Sequence, residues 1–182
     1  MSITTRYGLR VIRLVRRRIA IVAAAATLLV CATAATAAIG GGISNWVTLD
    51  GVGGVVPGMT SARVHTLWGI RVPSAGKACA VAKFHVSYGN INGYALFLHG
   101  HFGAVFFTSG ATTPSGIRIG SSLGDLIATY GKKLATVPGS NTYFLTRKTS
   151  PRYQLRFDVK KKAVIGIGFG NESVHFVGGC GY

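Results

Sequence analysis

The chain has 182 residues, with 20 Lys and Arg against 4 Asp and Glu, a formal net charge of +16 and 26 glycines. Its only carboxylate side chains are Asp50, Asp125, Asp158 and Glu172, so paired-acid glycosidase chemistry has no two acids close in sequence to work with. The basic residues are scattered along the sequence, which reads first as a well-solvated surface and second as attraction to anionic partners, and no nucleic-acid recognition motif accompanies them.

Residues 1–37 have the layout of an export signal. Arg6, Arg10, Arg13, Arg16, Arg17 and Arg18 precede an apolar, alanine-rich run from Ile19 that ends in the small-x-small site Ala35-Thr36-Ala37. Cleavage there makes Ala38 the mature start. The run is also about long enough to cross a bilayer, so an uncleaved anchor is the rival reading. Val30 stands where a lipoprotein signal before Cys31 wants a small residue. The expected location is secreted or in the cell envelope, with the membrane touched only through this segment if it stays uncleaved. Six basic residues leave with the signal, so the mature part carries 14 basic and 4 acidic residues, a net of +10. Roughly 144 residues remain, the size of one domain, 38–182.

The first element of the mature chain is a short helix after Gly54 and Gly58, with Thr60 as N-cap, Val64, Leu67 and Trp68 as its apolar face, and Gly69 as C-cap. Strands follow. Ala82, Phe84, Val86 and Tyr88 alternate, the Gly89–Gly93 stretch turns the chain into Tyr94–Leu98, and Gly100 turns it again into Phe102–Thr108. The helix pattern then recurs 62 positions on: Gly116, Gly120, Ser122, Leu126, Tyr130 and Gly131 repeat Gly54, Gly58, Thr60, Val64, Trp68 and Gly69. Leu126, Ile127 and Tyr130 form its expected buried face. Asn141–Arg147, Tyr153–Val159 and Ala163–Phe169 complete a second meander, with Lys160-Lys161-Lys162 as a polar turn. Internal duplication is the economical explanation. The expected fold is α+β: two tandem helix–three-stranded antiparallel meander repeats, about 51–112 and 113–177, sharing one sheet.

Gly58-Met59-Thr60 with Val64 and Trp68-Gly69, echoed by Gly120-Ser121-Ser122 to Tyr130-Gly131, resembles the exported helix-plus-meander domains of the BamE (SmpA/OmlA) and β-lactamase-inhibitor-protein-like superfamily. Its tandem form looks like the second group. The resemblance covers roughly Gly54 to Phe169 and implies a binding or assembly module that is not an enzyme. No functional residue transfers with it.

Several constellations compete with plain scaffold roles. Cys79 and Cys180, the two cysteines left after processing, pair in an oxidising compartment or remain separate thiols. Gly120-Ser121-Ser122-Leu123-Gly124 satisfies G-x-S-x-G and nominates Ser122 as a nucleophile, yet Ser122 matches Thr60, as a helix N-cap requires. His99 and His101 flank Gly100 as a conceivable metal pair, but no third ligand stands at a recognisable spacing. Lys160, Lys161 and Lys162 are a solvated turn or a docking site for an acidic partner. Tyr88, Tyr94, Phe97, Phe107 and Tyr143, with Phe106 and Phe144, supply an aromatic sheet surface for a protein partner, unless loops or a dimer bury both faces. The functional expectation is a non-enzymatic protein-binding module, inhibitor-like or assembly-like, without cofactor or metal. An exported serine hydrolase using Ser122 and a binder of anionic cell-wall polymers are the alternatives.

Overall fold

The computed structural model describes residues 42–72, 76–147, 150–175 and 180. The expected signal segment, including its arginines and Cys31, lies outside the described residues. Among the described residues no helix is long and apolar enough to cross a membrane.

A small hairpin opens the fold, β1 (Val47–Thr48) against β2 (Gly51–Val52). Helix α1 (Ser61–Trp68) follows, then β3 (Cys79–Val86), β4 (Ile91–Leu98) and β5 (His101–Ser109). Helix α2 (Leu123–Tyr130) leads the second half, with β6 (Leu134–Thr136), β7 (Thr142–Arg147), β8 (Ser150–Lys160) and β9 (Ala163–Gly170). A 3-10 turn, Glu172–His175, closes the described chain apart from Cys180. All strands from β3 on join one antiparallel sheet in the order β3-β4-β5-β9-β8-β7-β6. Two helix-preceded strand groups therefore share one sheet, and the second group has four strands because the short edge strand β6 is added.

The 62-residue offset governs the geometry in detail. Helices α1 and α2 coincide residue for residue at that offset. The central pairing of β5 with β9 sets Phe106 opposite Gly168, 62 positions later, which is the register a twofold axis through that pair requires. Each strand group carries a bulge at matched sites: Gly103 stands between the partners of Leu96 and Phe97, and Ile165 between those of Asp158 and Val159. The helix starts are tied to the hairpins in the same way, Ser61 N donating to Gly100 O at 2.8 Å and Leu123 N to Lys162 O at 2.8 Å.

The helices cover one face of the sheet. Val64 and Leu126, matched positions, are fully buried there, and Trp68 meets Phe102 and Phe84 edge-on at 5.4 and 6.3 Å. Tyr130, the counterpart of Trp68, lies against Phe157 at 5.6 Å. Ile127, expected in the buried face of α2, is instead 48% exposed. Its position is a third of a turn beyond Leu126, and its counterpart on α1 is the polar His65.

Candidate functional site

Ser122 is a helix cap. Its Oγ accepts from Asp125 N at 3.0 Å and donates to Asp125 Oδ2 at 2.8 Å, while Asp125 Oδ2 also accepts from Ser122 N at 3.2 Å. That reciprocal pattern is a capping box. A nucleophilic serine needs a base at its hydroxyl, and here the hydroxyl faces the carboxylate of its own helix; no hydrogen bond to a histidine is made by it among the described residues. Thr60 caps α1 by accepting from Arg63 N at 3.3 Å. The histidines are likewise held locally: His101 Nδ1 lies 2.9 Å from Gly58 O, His65 Nδ1 2.7 Å from Ile70 O, and His85 Nδ1 2.5 Å from Asn92 Oδ1. No group of three metal-ligating side chains occurs among the described residues.

The aromatic set divides by strand parity. Phe97 and Phe107 are each 1% exposed, inside the helix-covered core, where Phe97 meets Phe102 at 6.0 Å and Phe107 meets Phe84 at 5.7 Å. They are core residues rather than a partner surface, because odd positions of β4 and β5 near the centre point toward the helices. Tyr143 is half-buried against the same core. Tyr94 belongs to the second face, stacked on Phe106 at 5.1 Å. Tyr88 alone stands clear, 92% exposed in the β3–β4 turn.

The second face is not an open aromatic platform. The chain covers its middle with its own Glu172–His175 turn, whose Val174 is fully buried beside Leu96, Phe106 and Phe144. Space for that turn comes from glycine: a Cβ at Gly168 would lie 3.0 Å from Phe106 and 3.1 Å from Val174, and one at Gly103 would lie 2.7 Å from Ser173 Oγ. Arg156, 6% exposed, fastens it. Its Nη1 donates to Val174 O at 2.9 Å and His175 O at 3.1 Å, its Nε and Nη2 each reach Asp158 Oδ1 at 2.8 Å, and the guanidinium lies 5.6 and 5.9 Å from the Phe106 and Phe144 rings. Alternation marks Arg156 as an outward polar residue, so sequence reasoning missed it. The available signal was the run of Gly166, Gly168 and Gly170 on one face of β9, which leaves room for a covering segment. Beyond that turn, Cys180 is joined to Cys79 on β3 with Cα atoms 5.5 Å apart.

Charge is distributed unevenly. Asp50 pairs with Arg147 at 2.9 Å, raising the Arg147 pKa through that hydrogen bond and the opposite charge. Asp125 is in the capping box and Asp158 holds Arg156. Lys160, Lys161 and Lys162 are all exposed, and no ion pair of theirs occurs among the described residues. Lys161 and Lys162 adopt φ of 51° and 62°, where the matched turn of the first half has His99 at 49° and Gly100 at 77°. A non-glycine residue in that region costs about 1 kcal/mol. One open cleft, about 610 Å³, lies at the opposite end of the sheet between Pro57, Leu98, Arg152, Tyr153 and Glu172. Ser173 also lines it beside Glu172, but no hydrogen bond joins their side chains among the described residues.

No family model matches the chain, and no curated protein matches it. Among solved structures it is similar to a DUF4309 family protein, YjgB, from Bacillus subtilis, at 16% identity over 62% of this chain and 78% of that one, with a TM-score of 0.42. It is similar also to an extracellular protein containing an SCP domain from Bacillus anthracis, at 8% identity over 63% of this chain and 44% of that one, TM-score 0.44. A third is the uncharacterized protein yfeY from Escherichia coli, at 10% identity, 74% of this chain and 99% of that one, TM-score 0.36. The expected kinship with β-lactamase-inhibitor-protein-like and BamE domains is thereby corrected: no family model matches, and these similar structures are a DUF4309 protein, an SCP-domain protein and an uncharacterized protein. Its motif, a capped helix bounded by glycines, is what a helix feeding a hairpin needs for folding alone. At these identities and TM-scores the likeness carries no activity to this chain.

Proposed function

We propose that this chain is an exported, non-catalytic binding module that attaches to an anionic component of the cell envelope. The observation that carries the reading is the Lys160-Lys161-Lys162 turn: three exposed cations without an ion-pair partner among the described residues, two of them in a backbone conformation that lysine disfavours. The matched turn of the first half has glycine, Gly100, where Lys162 stands, the residue that such a positive φ favours. The bridged cysteines fit an oxidising compartment outside the cytoplasm, as the N-terminal segment implies. An aromatic sheet surface for a protein partner loses its support, since Phe97 and Phe107 are internal and the second face is covered in its middle. Catalysis by Ser122 loses its support because the hydroxyl is committed to the capping box. The test is retention of the full chain on washed envelope material over a salt series. Retention that falls steeply as salt rises is expected; salt-independent retention, or none at low salt, contradicts the reading.

A further inference from the structure

Sheet topology brings a second feature to the same end of the molecule as the lysines. Phe84, Gly93, Phe107, Ile167 and Phe157 form one continuous row of partners across β3, β4, β5, β9 and β8. Tyr88 stands four residues beyond Phe84, and Lys161 four residues beyond Phe157, so both turns project from the same end. Three strand spacings separate them, about 14 Å. Tyr88 is the most exposed large hydrophobic residue among those described. Neither feature repeats in the other half: the counterpart of Tyr88 is Ser150, and the counterparts of Lys161 and Lys162 are His99 and Gly100. Helix caps, many core residues and the bulges obey the 62-residue offset; these side chains do not, and, unlike the unmatched Arg156 and the Cys79–Cys180 bridge, they stand in solvent with no core to pack.

Resting on the reading above, we infer that this end of the sheet binds a linear anionic glycopolymer, with Tyr88 stacking on a sugar face and Lys160, Lys161 and Lys162 engaging carboxylate or phosphate groups farther along the chain. An aromatic face suits the C–H bonds of a pyranose, and ammonium groups suit its charges. Adjacent strands are rotated by about 20–25°, so over three spacings the two tips diverge by roughly 60–75°. A flexible polymer can follow such a saddle, whereas a flat bilayer meets one tip at a time. The two nearby carboxylates, Asp125 and Asp158, are held by Ser122 and by Arg156 and Thr142, which limits their repulsion of an anion.

The test uses the full chain with polygalacturonate, inorganic polyphosphate, neutral dextran and phosphatidylglycerol vesicles as probes, and reads amide exchange segment by segment alongside Kd. That local readout separates this end of the sheet from the N-terminal arginines. Polygalacturonate is expected to protect residues 87–90 and 160–163. K160E/K161E/K162E should weaken it on the order of 100-fold. Tyr88→Ala should weaken polygalacturonate roughly fivefold and leave polyphosphate unchanged. Arg152→Glu, at the opposite end, should leave all Kd values within twofold. Equal loss from Arg152→Glu, an unaffected Tyr88→Ala, or stronger protection by vesicles than by polygalacturonate overturns the inference. Salt-sensitive retention on envelope material surviving such a result would leave the broader reading standing.

Discussion

At the residue scale, most side chains that look chemically interesting have structural work to do. Ser122 sits in a sequence that reads as a nucleophile elbow, yet its match to Thr60 shows in the sequence itself that both copies need a hydroxyl before the helix. Ser122→Ala should lower unfolding free energy by about 1 kcal/mol in denaturant titration; an unchanged midpoint would remove the capping account. Arg156 is the opposite case. Its polar neighbours Gln154 and Asp158 on β8 make it look solvated, and only the later Glu172–His175 turn, whose carbonyls it binds, explains its burial. Local pattern could not reveal that, because its partners lie 18 and 19 residues away and offer backbone atoms that carry no sequence signal.

At the element scale, the helices, meanders and their offset are legible because capping and alternation are local rules that both copies obey. What the sequence hides is where the copies differ. Ile127 was expected inside on hydrophobicity, although its counterpart His65 marks that helix position as outward. Aromatic content alone groups Phe97 and Tyr94 as one surface, although an odd separation in a strand puts them on opposite faces. β6 is invisible to pattern because three residues carry too little alternation to read. The bulges are a further asymmetry: Gly103 lies under Ser173, whereas Ile165, 47% exposed, has no such cover. Gly103→Ile, which makes the first bulge like the second, should therefore lift the covering turn. It should cost about 1–3 kcal/mol and speed amide exchange over residues 171–175. Unaltered exchange there would show that the turn does not depend on the missing Cβ.

At the scale of the whole molecule, the Cys79–Cys180 bridge spans 101 residues and joins the outer strand of the first half to the end of the second. Chain-entropy arithmetic gives a loop of this length about 4.7 kcal/mol, so reduction should lower the unfolding free energy by about 4–5 kcal/mol. A change below about 1 kcal/mol would show that the covering turn and sheet hold the tail without it. The same whole-molecule view separates matched positions, which build two copies of one unit, from unmatched ones, which are either structural, as Arg156 and the Cys79–Cys180 bridge are, or exposed and available for the proposed binding role. The lysine turn is the unmatched, exposed feature on which the proposed binding rests. That binding is tested most directly by giving the β8–β9 turn the residues of its counterpart, K161H/K162G, and measuring stability and retention on anionic envelope material together. If the turn binds, stability is expected to be equal or higher, by up to about 1 kcal/mol from the relieved positive φ, and retention roughly tenfold weaker. Retention unchanged, with stability lowered, would contradict it.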